Sequence, residues 1–74
     1  MKENSNIKQV IYWYNAITGN VKWNVEYKSG YWRNYAMNTL PKKINRWLQS
    51  DKAALVKIGD TDEGAWHMEK WAEK

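Results

Sequence analysis

The chain has no cysteine, no phenylalanine, one proline and one histidine in 74 residues. Without thiols there is no disulfide framework, no thiolate zinc site and no nucleophilic cysteine, which fits a reducing cytoplasm. The single His67 cannot make a metal site alone, and neither a His/Cys ligand spacing nor a phosphate-cradling glycine loop occurs. Long apolar runs are missing too. Nothing approaches the ~20 residues of a membrane span, and the opening MKENSNIKQ has no apolar signal-peptide core. The expectation is a soluble cytoplasmic protein without membrane contact.

What is abundant is aromatic surface. A domain this small buries only roughly 60% of the surface its unfolded chain exposes. With no disulfide, its core must come from six Trp and five Tyr, each able to bury roughly 150–250 Å². Most of them fall between Val10 and Met37, VIYWYNAITGNVKWNVEYKSGYWRNYAM, together with two turn signals, Gly19-Asn20 and Ser29-Gly30. Read as two-residue hairpin loops, these predict three antiparallel strands: Ile7 to Ala16, Val21 to Lys28 and Tyr31 to Met37.

The first loop then sets Thr18 opposite Val21, Ala16 opposite Trp23 and Tyr14 opposite Val25. The second sets Tyr27 opposite Trp32 and Glu26 opposite Arg33, a favourable cross-strand charge pair. Alternation gives a core face of Tyr12, Tyr14, Trp23, Val25, Tyr27, Trp32 and Ala36. The outer face carries Trp13, Lys22, Asn24, Lys28, Tyr31, Arg33 and Tyr35, with Ile11 and Asn15 completing it.

Asn38-Thr39-Leu40-Pro41 reads as a helix start, with Asn or Thr as cap and Pro41 in the first turn. The helix is expected over Leu40–Gln49, with Leu40, Ile44, Trp47 and Leu48 as its apolar stripe and Lys42, Lys43 and Arg46 on a basic outer side. A short strand follows around Ala54 to Gly59, then an acidic turn from Asp60 to Gly64. Residues 65–74 read as a fifth strand, with Trp66 and Met68 on one side and His67 and Glu69 on the other, or as a short helix. The fold class is therefore α+β: a small antiparallel sheet, βββα followed by one or two further β elements, with one helix packed on a face. Residues 1–6 are expected to be a flexible terminus and 7–74 a single domain.

Catalysis finds little support. His67, with Glu63 and Glu69 nearby, is a bystander on a surface strand, and no serine sits in a nucleophile elbow. Asp60, Asp62 and Glu63 begin a calcium-loop pattern that fails at Gly64, so the turn is read as solvated and acidic. No enzyme activity, cofactor, metal or small-molecule substrate is expected.

The charge points elsewhere. Of the formal +4, residues 1–52 carry nine basic against three acidic groups and residues 53–74 three against five. An anionic partner is thus expected at the sheet and helix. On the outer face, aromatics that offer stacking platforms interleave with cations that hold phosphates, which predicts DNA or RNA binding through Trp13, Lys22, Asn24, Lys28, Tyr31, Arg33 and Tyr35, with Lys42, Lys43 and Arg46 on the helix. The alternative is a protein target, since Trp, Tyr and Arg dominate binding hot spots. A small regulator or inhibitor that occupies another macromolecule's site, in the manner of phage and plasmid accessory proteins, has this size and composition. Three strands and a helix over residues 7–49 resemble, in order of elements, AP2-like DNA-binding domains and the arm-binding domains of tyrosine integrases. That resemblance implies a sheet face that enters a DNA groove.

Overall fold

The first hairpin turns through four residues rather than two. Asn15 and Asn20 close it, with the Asn15 amide donating to the Asn20 carbonyl at 2.8 Å. The Asn15 side-chain oxygen accepts from the Ile17 and Thr18 amides at 2.9 Å each, and Gly19, at φ 76°, supplies the left-handed residue that returns the chain. Strands β1 (Ile7–Asn15) and β2 (Val21–Tyr27) therefore pair Tyr14 with Val21, Tyr12 with Trp23 and Val10 with Val25. This differs from the expected register by four residues. Because the shift is even, each side chain stays on the face that alternation assigned it.

The second hairpin is different. Its loop is Lys28-Ser29-Gly30, three residues, with the Gly30 amide donating to the Tyr27 carbonyl and the Tyr27 amide to the Tyr31 carbonyl, both at 2.8 Å. Gly30 at φ 92° occupies the left-handed third position that such loops require. One extra loop residue is an odd shift, so β3 (Trp32–Ala36) presents opposite faces from those expected. Trp32 leaves the core face and is 45% exposed, while Tyr35 pairs with Trp23 and packs against the core. The expected Glu26–Arg33 pair does not form: Glu26 faces Trp32 and accepts from Gln9 at 2.6 Å, and Arg33 faces Val25.

Helix α1 (Lys42–Gln49) starts two residues later than expected. Pro41, in extended geometry, is its N-cap and no side chain caps it; Thr39 instead donates its hydroxyl to the Ala36 carbonyl. At the other end Ser50 donates to the Trp47 carbonyl at 2.7 Å. The helix carries the chain from the β3 edge to β4 (Ala53–Asp60), which pairs with β5 (Trp66–Glu73). The carboxyl-terminal segment is thus a strand. It inserts between β1 and β4, so the five-stranded antiparallel sheet runs β3-β2-β1-β5-β4. The protein is mostly sheet with one helix.

This computed structural model describes residues 6–36, 38–60 and 65–74. Residues 1–5 of the terminus expected to be flexible over 1–6, Met37 and most of the acidic turn, including Asp62 and Glu63, lie outside them. Asn6 is tied down, its carbonyl accepting from the Lys28 amide at 2.7 Å.

Two bulges tune the core. At Lys8 the β1 register slips by one, so Ile7 and Val10, three residues apart, both face the helix. At Val56 a second slip puts Leu55 and Ile58 on one face of β4. Ile7, Val10, Val25, Ile44 and Trp47 are fully buried, ringed by half-buried Trp23, Tyr27, Tyr35, Leu40, Leu48 and Trp71. Among the described residues the buried indole Nε1 atoms of Trp23 and Trp47 have no acceptor, a cost of about 1–3 kcal/mol each.

Trp47→Ala should therefore lower stability by about 3–5 kcal/mol, a large share of the 5–15 kcal/mol typical of a domain. Trp47→Phe should cost less, because it also removes the unpaired indole donor. Urea midpoints for the two variants check this, and an alanine variant as stable as the native chain would contradict it.

Candidate nucleic-acid interface

On the face turned away from α1 the register builds rows of side chains across the sheet. One row reads Asn34, Asn24, Ile11, Lys70, Lys57; the next reads Ala36, Lys22, Trp13, Met68, Gly59; and Trp66 follows beyond Met68. Trp32, Glu26, Gln9 and Ala72 form the row on the other side. No described element packs on this face.

Its side chains hold one another in place. The Trp13 and Trp66 rings meet edge to face with centroids 6.4 Å apart. The Lys22 ammonium sits 4.6 Å from the Trp66 ring centre and 5.6 Å from that of Trp13, a cation–π arrangement worth about 0.5–1 kcal/mol at an exposed site. From its other edge Trp13 donates its indole N–H to Asn24 at 2.7 Å, and Asn24 donates to Asn34 at 2.6 Å. Lys57 and Lys70 stand directly opposite each other. Among the described residues neither is ion-paired, and like charges so placed repel.

Of the residues named from sequence, Trp13, Lys22 and Asn24 share this face. Arg33 and Tyr35 do not: the odd shift puts them on the helix side, where the Arg33 guanidinium lies 5.4 Å from the Tyr35 ring centre. Tyr31 stacks on Tyr27 at 6.1 Å, also on the helix side. Burial pushes the Tyr27 hydroxyl up to about 12, with a hydrogen bond to Tyr35 adding to the effect. Lys28 forms an ion pair with Glu73 at 2.9 Å. Asn15 is buried and serves the first turn. Lys42, Lys43 and Arg46 are exposed on α1, across the sheet from the tryptophan face.

Trp32, Asn34, Lys57, Trp66 and Lys70 belong to the face without having been singled out. For the first two the signal was Gly30 itself, since a third loop residue with positive φ flips β3. For the others it was pairing between β5 and β1, which no local pattern encodes.

On the helix side, His67 lies between two carboxylates, with Nδ1 2.8 Å from Asp60 and Nε2 3.1 Å from Glu69. A neutral imidazole donates through one nitrogen only, whereas the imidazolium satisfies both acids. The hydrogen bonds to Asp60 and then Glu69 accordingly hold its pKa above the ordinary value. Among the described residues no cluster of acids and histidines has the arrangement of a metal site, and no helix is long and apolar enough to cross a membrane.

No family model matches this chain, and no curated protein or solved structure is significantly similar to it.

A group whose folded pKa is raised adds stability that is fully present below its unfolded value, about 6.5 for histidine, and that disappears as pH rises through the folded value. His67→Gln should thus lower the thermal midpoint at about pH 5, below the ordinary histidine value, and leave it nearly unchanged at about pH 9. Equal losses at the two pH values would contradict the ion-pair reading.

Proposed function

We propose that the uncovered face binds single-stranded nucleic acid, without catalysis. The observation that carries this reading is the cross-strand Lys57–Lys70 pair, neither member ion-paired among the described residues, beside the Trp13–Lys22–Trp66 cluster. An anion bridging the two lysines relieves their repulsion, which a phosphate does at each step of a nucleic-acid backbone. Bases stack on tryptophan at about 1–3 kcal/mol each, and Trp32, Trp13 and Trp66 spread such rings over the face. Beyond their bonds to Trp13 and to each other, the Asn24 and Asn34 amides keep further donor and acceptor positions for base edges.

Sheet width favours a single strand over a duplex groove. Five strands at ~4.8 Å spacing span about 19 Å, against a major groove about 12 Å wide. The groove-entering sheet implied by AP2-like domains has three strands, and here β5 and β4 extend it.

A protein partner is the second reading, and one feature favours it. β4 is an edge strand with Leu55, Val56 and Ile58 exposed by 42%, 56% and 59%, which suits strand addition by a partner that this chain would regulate or inhibit.

Titration of labelled single-stranded and duplex oligonucleotides with tryptophan fluorescence separates the two. If Lys22, Lys57 and Lys70 each neutralise one phosphate, log K for the single strand should fall by about 2 per decade of salt, at ~0.7 per contact. The double variant Lys57→Glu/Lys70→Glu should abolish binding while remaining folded, and Arg33→Ala should change it little. Unchanged affinity in the double variant, or no binding at low salt, would turn the assignment toward the protein partner.

A further inference from the structure

The helix covers only part of its own face of the sheet, and beside it lies a cavity of about 400 Å³ lined by Tyr12, Trp23, Leu48, Glu69 and Trp71. That volume is within the range of small-ligand sites, about 300–1,000 Å³. The walls follow from the register. Tyr12 pairs with Trp23 across β1 and β2 and with Glu69 across β1 and β5, and Trp71 is two residues beyond Glu69 on the same face. Leu48, from the last turn of α1, closes one side. The Tyr12 and Trp23 rings, with centroids 4.8 Å apart, are inclined at 52°, so they form a corner rather than a flat stack.

The chemistry of this lining is specific. Three aromatic rings and the Glu69 carboxylate line it and no basic residue does; the His67 ring held by Glu69 is shared with Asp60, so the three groups together remain negative. Glu69 uses Oε2 toward His67. Aromatic cages of this composition attract cations that carry little hydration, because the ring quadrupole and the carboxylate act together in a partly desolvated site. An anion would meet Glu69, and a strongly hydrated metal ion would find a single charged oxygen ligand, the Glu69 carboxylate.

We propose that this cavity is a binding site for an organic ammonium group, of the alkylated kind found in small quaternary amines and in methylated lysine side chains. The site lies across the sheet from the tryptophan–lysine face, and its ligand has the opposite charge. It stands or falls independently of nucleic-acid binding.

The test is calorimetric and fluorescence titration of the full chain with choline chloride, against sodium chloride of equal ionic strength and against 3,3-dimethylbutan-1-ol, the uncharged isostere of choline. Choline should bind at least tenfold more tightly than the isostere, and Glu69→Gln should weaken it roughly tenfold at unchanged circular dichroism. Because Trp71 also packs against the core, Trp71→Leu is compared with Tyr12→Phe, with circular dichroism on both: the first should lose binding while the folded chain persists, and the second should keep it. A peptide bearing trimethyllysine that binds more tightly than choline would support the site and assign its ligand to a protein side chain, and weaker binding would support it with a free amine as ligand. Equal affinity for choline and the isostere, or binding by neither, would overturn the proposal.

Discussion

An eight-residue helix is about 12 Å long at 1.5 Å per residue, whereas a five-stranded sheet is about 19 Å across. The mismatch decides where the protein has an interior. Beneath α1, Ile44 and Trp47 meet Ile7, Val10 and Val25, and that small cluster holds every fully buried side chain described. Elsewhere the sheet stabilises itself through its ladder and through cross-strand pairs such as Tyr12 with Trp23 and Lys22 with the two tryptophans. Both proposed sites lie where the helix does not reach: the whole of one face, and the strip of the other beside Leu48.

Strand alternation also sorts the charge. The last third of the chain carries a formal excess of acid, yet it delivers Lys57 and Lys70 to the uncovered face and Asp60 and Glu69 to the helix side. Among its described residues, a segment that looks acidic in sequence is thus basic on one side and acidic on the other. The protein presents a cationic aromatic surface and an anionic aromatic cavity on opposite faces of one sheet, which suits partners of opposite sign.

Much of this was legible from residue order. Alternation through β1 and β2 placed Trp13, Lys22 and Asn24 outward and Trp23 and Val25 inward, and it survived a wrong turn length because the error was even. The stripe of Ile44 and Trp47 gave the helix its buried side, and Trp66 and His67 fell on opposite sides of β5 as expected. β3 was misread because Ser29-Gly30 signals a loop without counting its residues, and one residue is enough to exchange Arg33 and Tyr35 for Trp32 and Asn34. The cavity was not legible at all. It needs β5 beside β1, a pairing set by how the whole chain closes rather than by any short motif.

The six tryptophans report directly on the two faces. Each indole N–H gives its own signal in a two-dimensional nitrogen–proton spectrum of labelled protein. Addition of a single-stranded oligonucleotide should move the signals of Trp13, Trp32 and Trp66 and leave that of Trp47 in place. Movement of Trp23 and Trp71 with the other three unchanged would contradict the assignment of the uncovered face as the nucleic-acid surface.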